Sequence, residues 1–214
     1  MDSFANQNGR VVIENVIAAV RDNAALLSEI DGAVGDGDHG VNMAKGFGRA
    51  LEKIGTPPVS LSEGMAVIGS VLLTEIGGAM GPLYGALFRA MSRACKDSPR
   101  VDAAVFESML RKAEEAVVAL GNAKVGDKTM LDTLAPAVQA FADCRRLGLS
   151  FAGALSVMMK AAEEGKESTR DLVARVGRSS RLGERSRGTL DAGAVSCWLI
   201  LTAMGRAMMD LLSR

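Results

Sequence analysis

The sequence predicts an all-α protein, a single domain over residues 1–214 built as an antiparallel bundle or ring of eight helices. Three observations predict it. Apolar residues recur at i, i+3, i+4 spacing through most of the chain. No segment alternates with period two over a useful length, so no sheet is expected. Gly, Pro and capping residues fall between the periodic stretches. Short connections imply that consecutive helices run antiparallel.

The elements follow in order. Ile13, Val16, Ile17, Val20, Ala24 and Leu27 form the inward stripe of a first helix. A second opens after His39, with Met43, Phe47, Leu51 and Ile54 on one side, and Pro57-Pro58 ends that stretch. Ser60 and Glu63 make a capping box for a third helix to about Ile76. Gly77-Gly78 breaks the chain, and Pro82, tolerated in a first turn, marks a fourth helix to about Cys95. A fifth runs from about Asp102 to Leu120 and a sixth from about Met130 to Leu147. Ser150 caps a seventh through about Ala174. The eighth, Gly193 to Leu212, is nearly all apolar and is expected to be the most buried.

Composition narrows the function classes. Of 214 residues, 48% are hydrophobic and 23% charged, enough apolar surface to rule out a disordered chain. The 25 basic and 25 acidic residues cancel, and no long basic run exists, which argues against a nucleic-acid partner. No apolar run is expected to cross a membrane. The first residues lack a basic and then apolar leader. Cys95, Cys144 and Cys197 are odd in number and widely spaced, as expected of free thiols in a reducing cytoplasm.

Four glycine-rich connections stand out: Gly32 to Gly40, Gly77 to Gly85, Gly121 to Gly126 and Gly177 to Gly193. The first carries Asp31, Asp36 and Asp38, with no lysine or arginine in the loop. Asp31 continues the inward stripe of the first helix, and inward carboxylates need a counter-charge. A hard divalent cation supplies it, and Mg²⁺ characteristically joins a few carboxylates to phosphate oxygens and water. A single aspartate there would read as a helix cap or a turn residue; three together read as metal ligands. The loop also fits G-x-G-x-x-G through Gly35, Gly37 and Gly40, but no strand precedes it, so the dinucleotide meaning is rejected. The backbone N–H groups of Gly40, Val41 and Asn42 fall in a first helical turn, a position suited to phosphate. His39, the only histidine, is a donor candidate beside them.

The segment LSEIDGAVGDGDHGVNMAKGF resembles the nucleotide-binding L subunit of dihydroxyacetone kinase, the DhaL or DAK2 domain family. GGAMGPLYG, GDKTMLD and GRSSRLGERSRGTLDAGAVS match the family's later segments in order, so the resemblance spans nearly the whole chain. It implies a closed barrel of eight antiparallel helices binding ADP or ATP with Mg²⁺ at one end. By resemblance, Asp31, Asp36 and Asp38 hold two Mg²⁺ ions, and His39, Gly40, Val41 and Asn42 form the phosphate-facing turn. Ala79 and Met80 make a second phosphate contact. Gly121 and Met130 contact adenine and ribose, with Thr129 and Asp132 beside the ribose. Arg178 contacts phosphate and is the catalytic candidate, and Asp191, Ala192 and Gly193 close the site. Two departures stand out: Met80 replaces the family's usual serine, and Asp191-Ala192 replaces its Asp-Pro.

The resemblance implies a phosphotransferase subunit. It needs a partner K subunit to hold a small ketose such as dihydroxyacetone, and takes its phosphate from ATP or from a phosphotransferase-system M subunit. The other reading is a regulatory module of the same family that acts on a partner protein. A metal-dependent phosphohydrolase is a third, and it lacks a spare base.

Overall fold

The structure is a computed structural model that describes residues 2–214. Its elements are β1 (Ser3–Ala5), α1 (Arg10–Asp22), α2 (Ala24–Gly32), α3 (His39–Ile54), α4 (Leu61–Glu75), α5 (Met80–Cys95), β2 (Arg100–Asp102), α6 (Ala103–Gly121), α7 (Leu131–Arg146), α8 (Phe151–Ser168) and α9 (Ala192–Leu212). In sequence order, α3 to α9 each pack on the next, and α1 packs on both α9 and α3, which closes a ring. The fold is all-α, as the periodicity predicts.

Three boundaries differ from expectation. The first predicted helix is two, because the chain leaves helical geometry at Asn23 (φ −103°, ψ 13°). The Asn23 side chain donates to the carbonyl of Ala19 at 2.8 Å. Asparagine competes in this way with the helix ladder, and α2 turns off between α3 and α9. The described residues therefore contain nine α-helices rather than eight. The helix after Ser150 ends at Ser168, not near Ala174. There the Thr169 hydroxyl donates to the Lys166 carbonyl and accepts from the N–H of Asp191. The third difference is a small sheet where none was expected: β1 pairs antiparallel with β2, Phe4 opposite Val101. Three-residue strands are too short to show alternation.

Caps read from sequence hold where the chemistry is local. The Ser60 hydroxyl accepts from the N–H of Glu63, and the Glu63 carboxylate accepts from the N–H of Ser60. Such a cap is worth about 1 kcal/mol. Ser150 caps α8 through the N–H of Gly153. The ring interior is filled by buried apolar side chains, among them Phe47 edge-on to Phe88 and Phe106 edge-on to Phe141. The three cysteines are free and buried. By length and composition, α9 is apolar enough to span a membrane, contrary to expectation, with a mean hydropathy of 1.4. Most of it is buried against α1, α7 and α8, which accounts for that apolarity.

Alternate connections of an antiparallel ring share an end. The α3–α4 and α5–α6 connections lie beside the N-terminal segment: Arg10 donates to the carbonyls of Gly55 and Pro57, and Asn6 to those of Cys95 and Ser98. The α2–α3, α4–α5, α6–α7 and α8–α9 connections, the four glycine-rich ones, meet at the opposite end.

Candidate functional site

Those four connections line one cavity of about 430 Å³, within the range of small-ligand pockets. Asp31, Asp36, Asp38, His39 and Asn42 come from the first. Ala79 and Met80 come from the second, Gly121, Thr129 and Met130 from the third with the end of α6, and Arg178, Asp191, Ala192 and Gly193 from the fourth. Of the residues predicted from sequence, Gly40, Val41 and Asp132 are not on the wall. The Val41 side chain points outward and is largely exposed. Gly40 is pressed against α2, where a Cβ would meet the Ala24 carbonyl oxygen at 1.9 Å, so glycine is required for α3 to approach α2.

Asp31, Asp36 and Asp38 each offer a carboxylate oxygen within 4.8 Å of the others, Asp31 half-buried and the other two exposed. A side chain at Gly35 would strike the Asp31 carboxylate at 2.7 Å, so the glycine leaves that group room. Asp38 occupies the N-cap of α3 without a side-chain cap bond, which removes its helix-capping reading. The counter-charge missing from the loop arrives from 140 residues away: the Arg178 guanidinium pairs with Asp36 and lies 3.6 Å from Asp38. One guanidinium against three carboxylates leaves excess negative charge, and the donors are hard oxygens. The residues fit a divalent cation such as Mg²⁺.

The first turn of α3 faces this cluster. The N–H of His39 donates to Asp31 at 3.3 Å, and the N–H of Asn42 goes to the Asp38 carbonyl at 2.9 Å. The phosphate-facing reading of the Asn42 N–H is therefore corrected, because the cap residue already accepts it. The backbone N–H groups of Gly40 and Val41 have no acceptor among the described residues and carry the positive end of the helix dipole. His39 departs from the simple donor reading too. Its Nε2 is 2.9 Å from the Ser196 hydroxyl, which is 2.6 Å from the Tyr84 hydroxyl. Burial lowers the His39 pKa against the opposing pull of Asp31.

Leu83, Val117, Leu120 and Met130 give the cavity an apolar wall. The turn before α7 is tied by its own acids. Asp132 accepts from the N–H groups of Gly126 at 2.5 Å and Thr129 at 2.7 Å, and Asp127 accepts from that of Lys124 at 2.9 Å. Asp191 caps α9 through the N–H of Ala194 at 2.8 Å. Burial pushes its pKa up to about 7.

Sequence reasoning missed Lys128 and Tyr84, both on the cavity wall and almost fully buried. Lys128 takes a left-handed φ of 63°, which costs a non-glycine residue about 1 kcal/mol or more. Its neighbour Gly126 is also left-handed, and a lysine inside such a glycine turn was the available signal. Tyr84 carried none beyond being the chain's single tyrosine.

A family model described as the DAK2 domain matches residues 33–206. The chain belongs to the DAK2 domain family. It is 38% identical to a Listeria innocua protein named PEP-dependent dihydroxyacetone kinase 1, ADP-binding subunit DhaL, over 86% of this chain and 88% of that one. It is 35% identical to the corresponding ADP-binding subunit DhaL of Escherichia coli K12, over 85% and 87%. Among solved structures, the native dihydroxyacetone kinase of C. freundii superimposes with a TM-score of 0.68 at 25% identity, over 91% of this chain. This chain spans only 33% of that longer one. DAK2 membership agrees with the ring of helices and with the motif order read from the sequence.

Proposed function

We propose that the chain is the nucleotide-binding half of a dihydroxyacetone-type kinase. It holds ADP or ATP with two Mg²⁺ ions in the cavity, and its phosphoryl group goes to a small ketose on a separate K subunit. One observation carries this reading: three carboxylates, the unpartnered N–H groups of α3 and an apolar wall converge at one end of the ring. The names of the two bacterial relatives, both ADP-binding subunits, support it.

Asp31, Asp36 and Asp38 would hold the metal, which when bound neutralises phosphate charge. The chain's own residues do the rest. The Gly40 and Val41 N–H groups offer donors to a phosphate oxygen. Arg178, already at the carboxylates, brings a fixed positive charge to the group in transfer, where positioning and charge neutralisation are most of the chemistry. Leu83 and Met130 offer apolar surface to a purine face. The single histidine is committed beside Ser196, so no second one is present to hold a ketose carbonyl, and the K subunit supplies that function. Three buried free thiols accord with a cytoplasmic setting.

The relatives' PEP-dependent names support a donor relay in which ADP stays bound and a phosphotransferase-system M subunit recharges it. The test combines the chain with its K subunit and dihydroxyacetone, supplying either ATP or a phosphoenolpyruvate-driven relay. Transfer is expected in the relay arm. Ketose phosphorylation by this chain alone would overturn the half-enzyme reading.

A further inference from the structure

The α6–α7 turn grips the α8–α9 connection through one buried cation. The Lys128 ammonium donates to the carbonyls of Ser186 at 2.6 Å, Thr189 at 2.7 Å and Leu172 at 3.2 Å. All three acceptors lie on residues 172–189. An ammonium has three N–H donors and no acceptor, so three carbonyls satisfy it; a neutral amine would have one donor fewer and turn its lone pair on an oxygen. Lys128 is 1% exposed, so water does not compete for these bonds. The adjacent Asp127 adds two grips on the same segment: its carbonyl accepts from the N–H of Arg175 at 3.1 Å, and its carboxylate lies 3.8 Å from the Arg175 guanidinium. Three residues on, the segment carries Arg178 to the acidic cluster.

We propose that Lys128 is a positioning residue: it clasps the 172–189 segment to the α6–α7 turn and thereby holds Arg178 at the carboxylates. The nucleotide arm of the test rests on the proposed function, but the clasp itself does not. A left-handed backbone at residue 128 serves this geometry by turning the lysine stem inward from a surface turn. Without the ammonium, the half-buried carbonyls of Leu172 and Thr189 lose this donor and the buried Ser186 carbonyl keeps only the Thr189 hydroxyl, so the segment is expected to open.

Limited trypsin digestion of the wild-type chain and of Lys128→Met, which keeps the apolar stem, tests the clasp. Cleavage after Arg175, Arg178, Arg181 and Arg185 is expected to accelerate tenfold or more, with helical circular dichroism unchanged. Unchanged cleavage in a folded variant would overturn the clasp. Loss of the whole fold would overturn it too, because a clasp confined to one connection leaves the ring standing. Mg-ADP titration of Lys128→Met, Arg178→Met and the double variant supplies the second readout. The double variant is expected to bind no more weakly than Arg178→Met alone, as required if Lys128 acts through that arginine. Additive losses would sink that route. Absence of Mg-ADP binding in the wild type would refute the nucleotide reading while leaving the proteolysis result to judge the clasp.

Discussion

Two aspartate- and glycine-rich connections sit at the same end of the ring and use their carboxylates in opposite ways. In the α6–α7 turn, Asp127 and Asp132 are buried and accept from the backbone N–H groups of Lys124, Gly126 and Thr129. In the α2–α3 loop, Asp36 and Asp38 are exposed and have one guanidinium between them. Both carry aspartate and glycine, although the α6–α7 turn also has Lys124 and Lys128, and the supply of internal donors to the carboxylates differs. A carboxylate satisfied by its own turn is structural, whereas carboxylates crowded together with too few donors hold their electrostatic cost in reserve for a cation.

The comparison breaks most visibly if the acidic loop is neutralised. Asp36→Asn or Asp38→Asn is expected to weaken Mg-dependent ADP binding about a thousandfold, about 4 kcal/mol. The melting temperature without nucleotide should shift by less than about 2 °C, since exposed groups contribute little to the fold. Calorimetric titrations that matched wild type in both variants would remove the metal assignment. Asp132→Ala should show the reverse pattern. Two half-buried N–H groups lose a charged acceptor, and thermal or urea unfolding is expected to report about 3 kcal/mol of lost stability.

Asp191 lies between the two cases, half-buried where the turn's pair is buried, and with a single backbone donor from Ala194. Its folded pKa is raised from 3.8 to about 7, so the folded state favours the proton. The stability it contributes is complete below pH about 4 and is lost as the pH rises through about 7. Asp191→Asn should flatten that decline, which is on the order of 4 kcal/mol. A pH series of melting curves that stayed parallel in the two proteins would show that Asp191 is ionised throughout. The smallest test concerns Met80, at the first turn of α5 on the cavity wall and packed on the core. Met80→Ser offers a hydroxyl to a phosphate oxygen and should tighten nucleotide binding up to about tenfold. Weaker binding with a lower melting temperature would make Met80 a packing residue.

Most of the helices were legible because their burial is periodic, and Ser60 and Ser150 announced their caps through bonds made within one turn. The break at Asn23 and the early end at Thr169 were not, since each depends on how a side chain competes with the ladder locally. The strand pair was invisible because its partners lie about 97 residues apart. In the cavity, Asp31, Asp36 and Asp38 sat together in the sequence and could be read as a group. The Arg178 pairing, the Ser196 contact to His39 and the buried Lys128 are tertiary, and nothing in their sequence neighbourhoods specifies a partner.

The closure of the ring by α1 against α9 has a consequence for biosynthesis. Helix α1 completes its packing only against α9, which is made after all the other ring helices, and α9 also brings Ser196, with Ala192 and Gly193 in its first turn and Asp191 as its cap. On the ribosome, the growing chain can assemble neighbouring pairs such as α4 with α5, but the circle stays open until residue 212 has left the exit tunnel. The cavity wall is then completed in the same event that closes the core. A nascent chain stopped before α9 would expose the apolar flank of α1 to chaperones and would lack one side of the cavity.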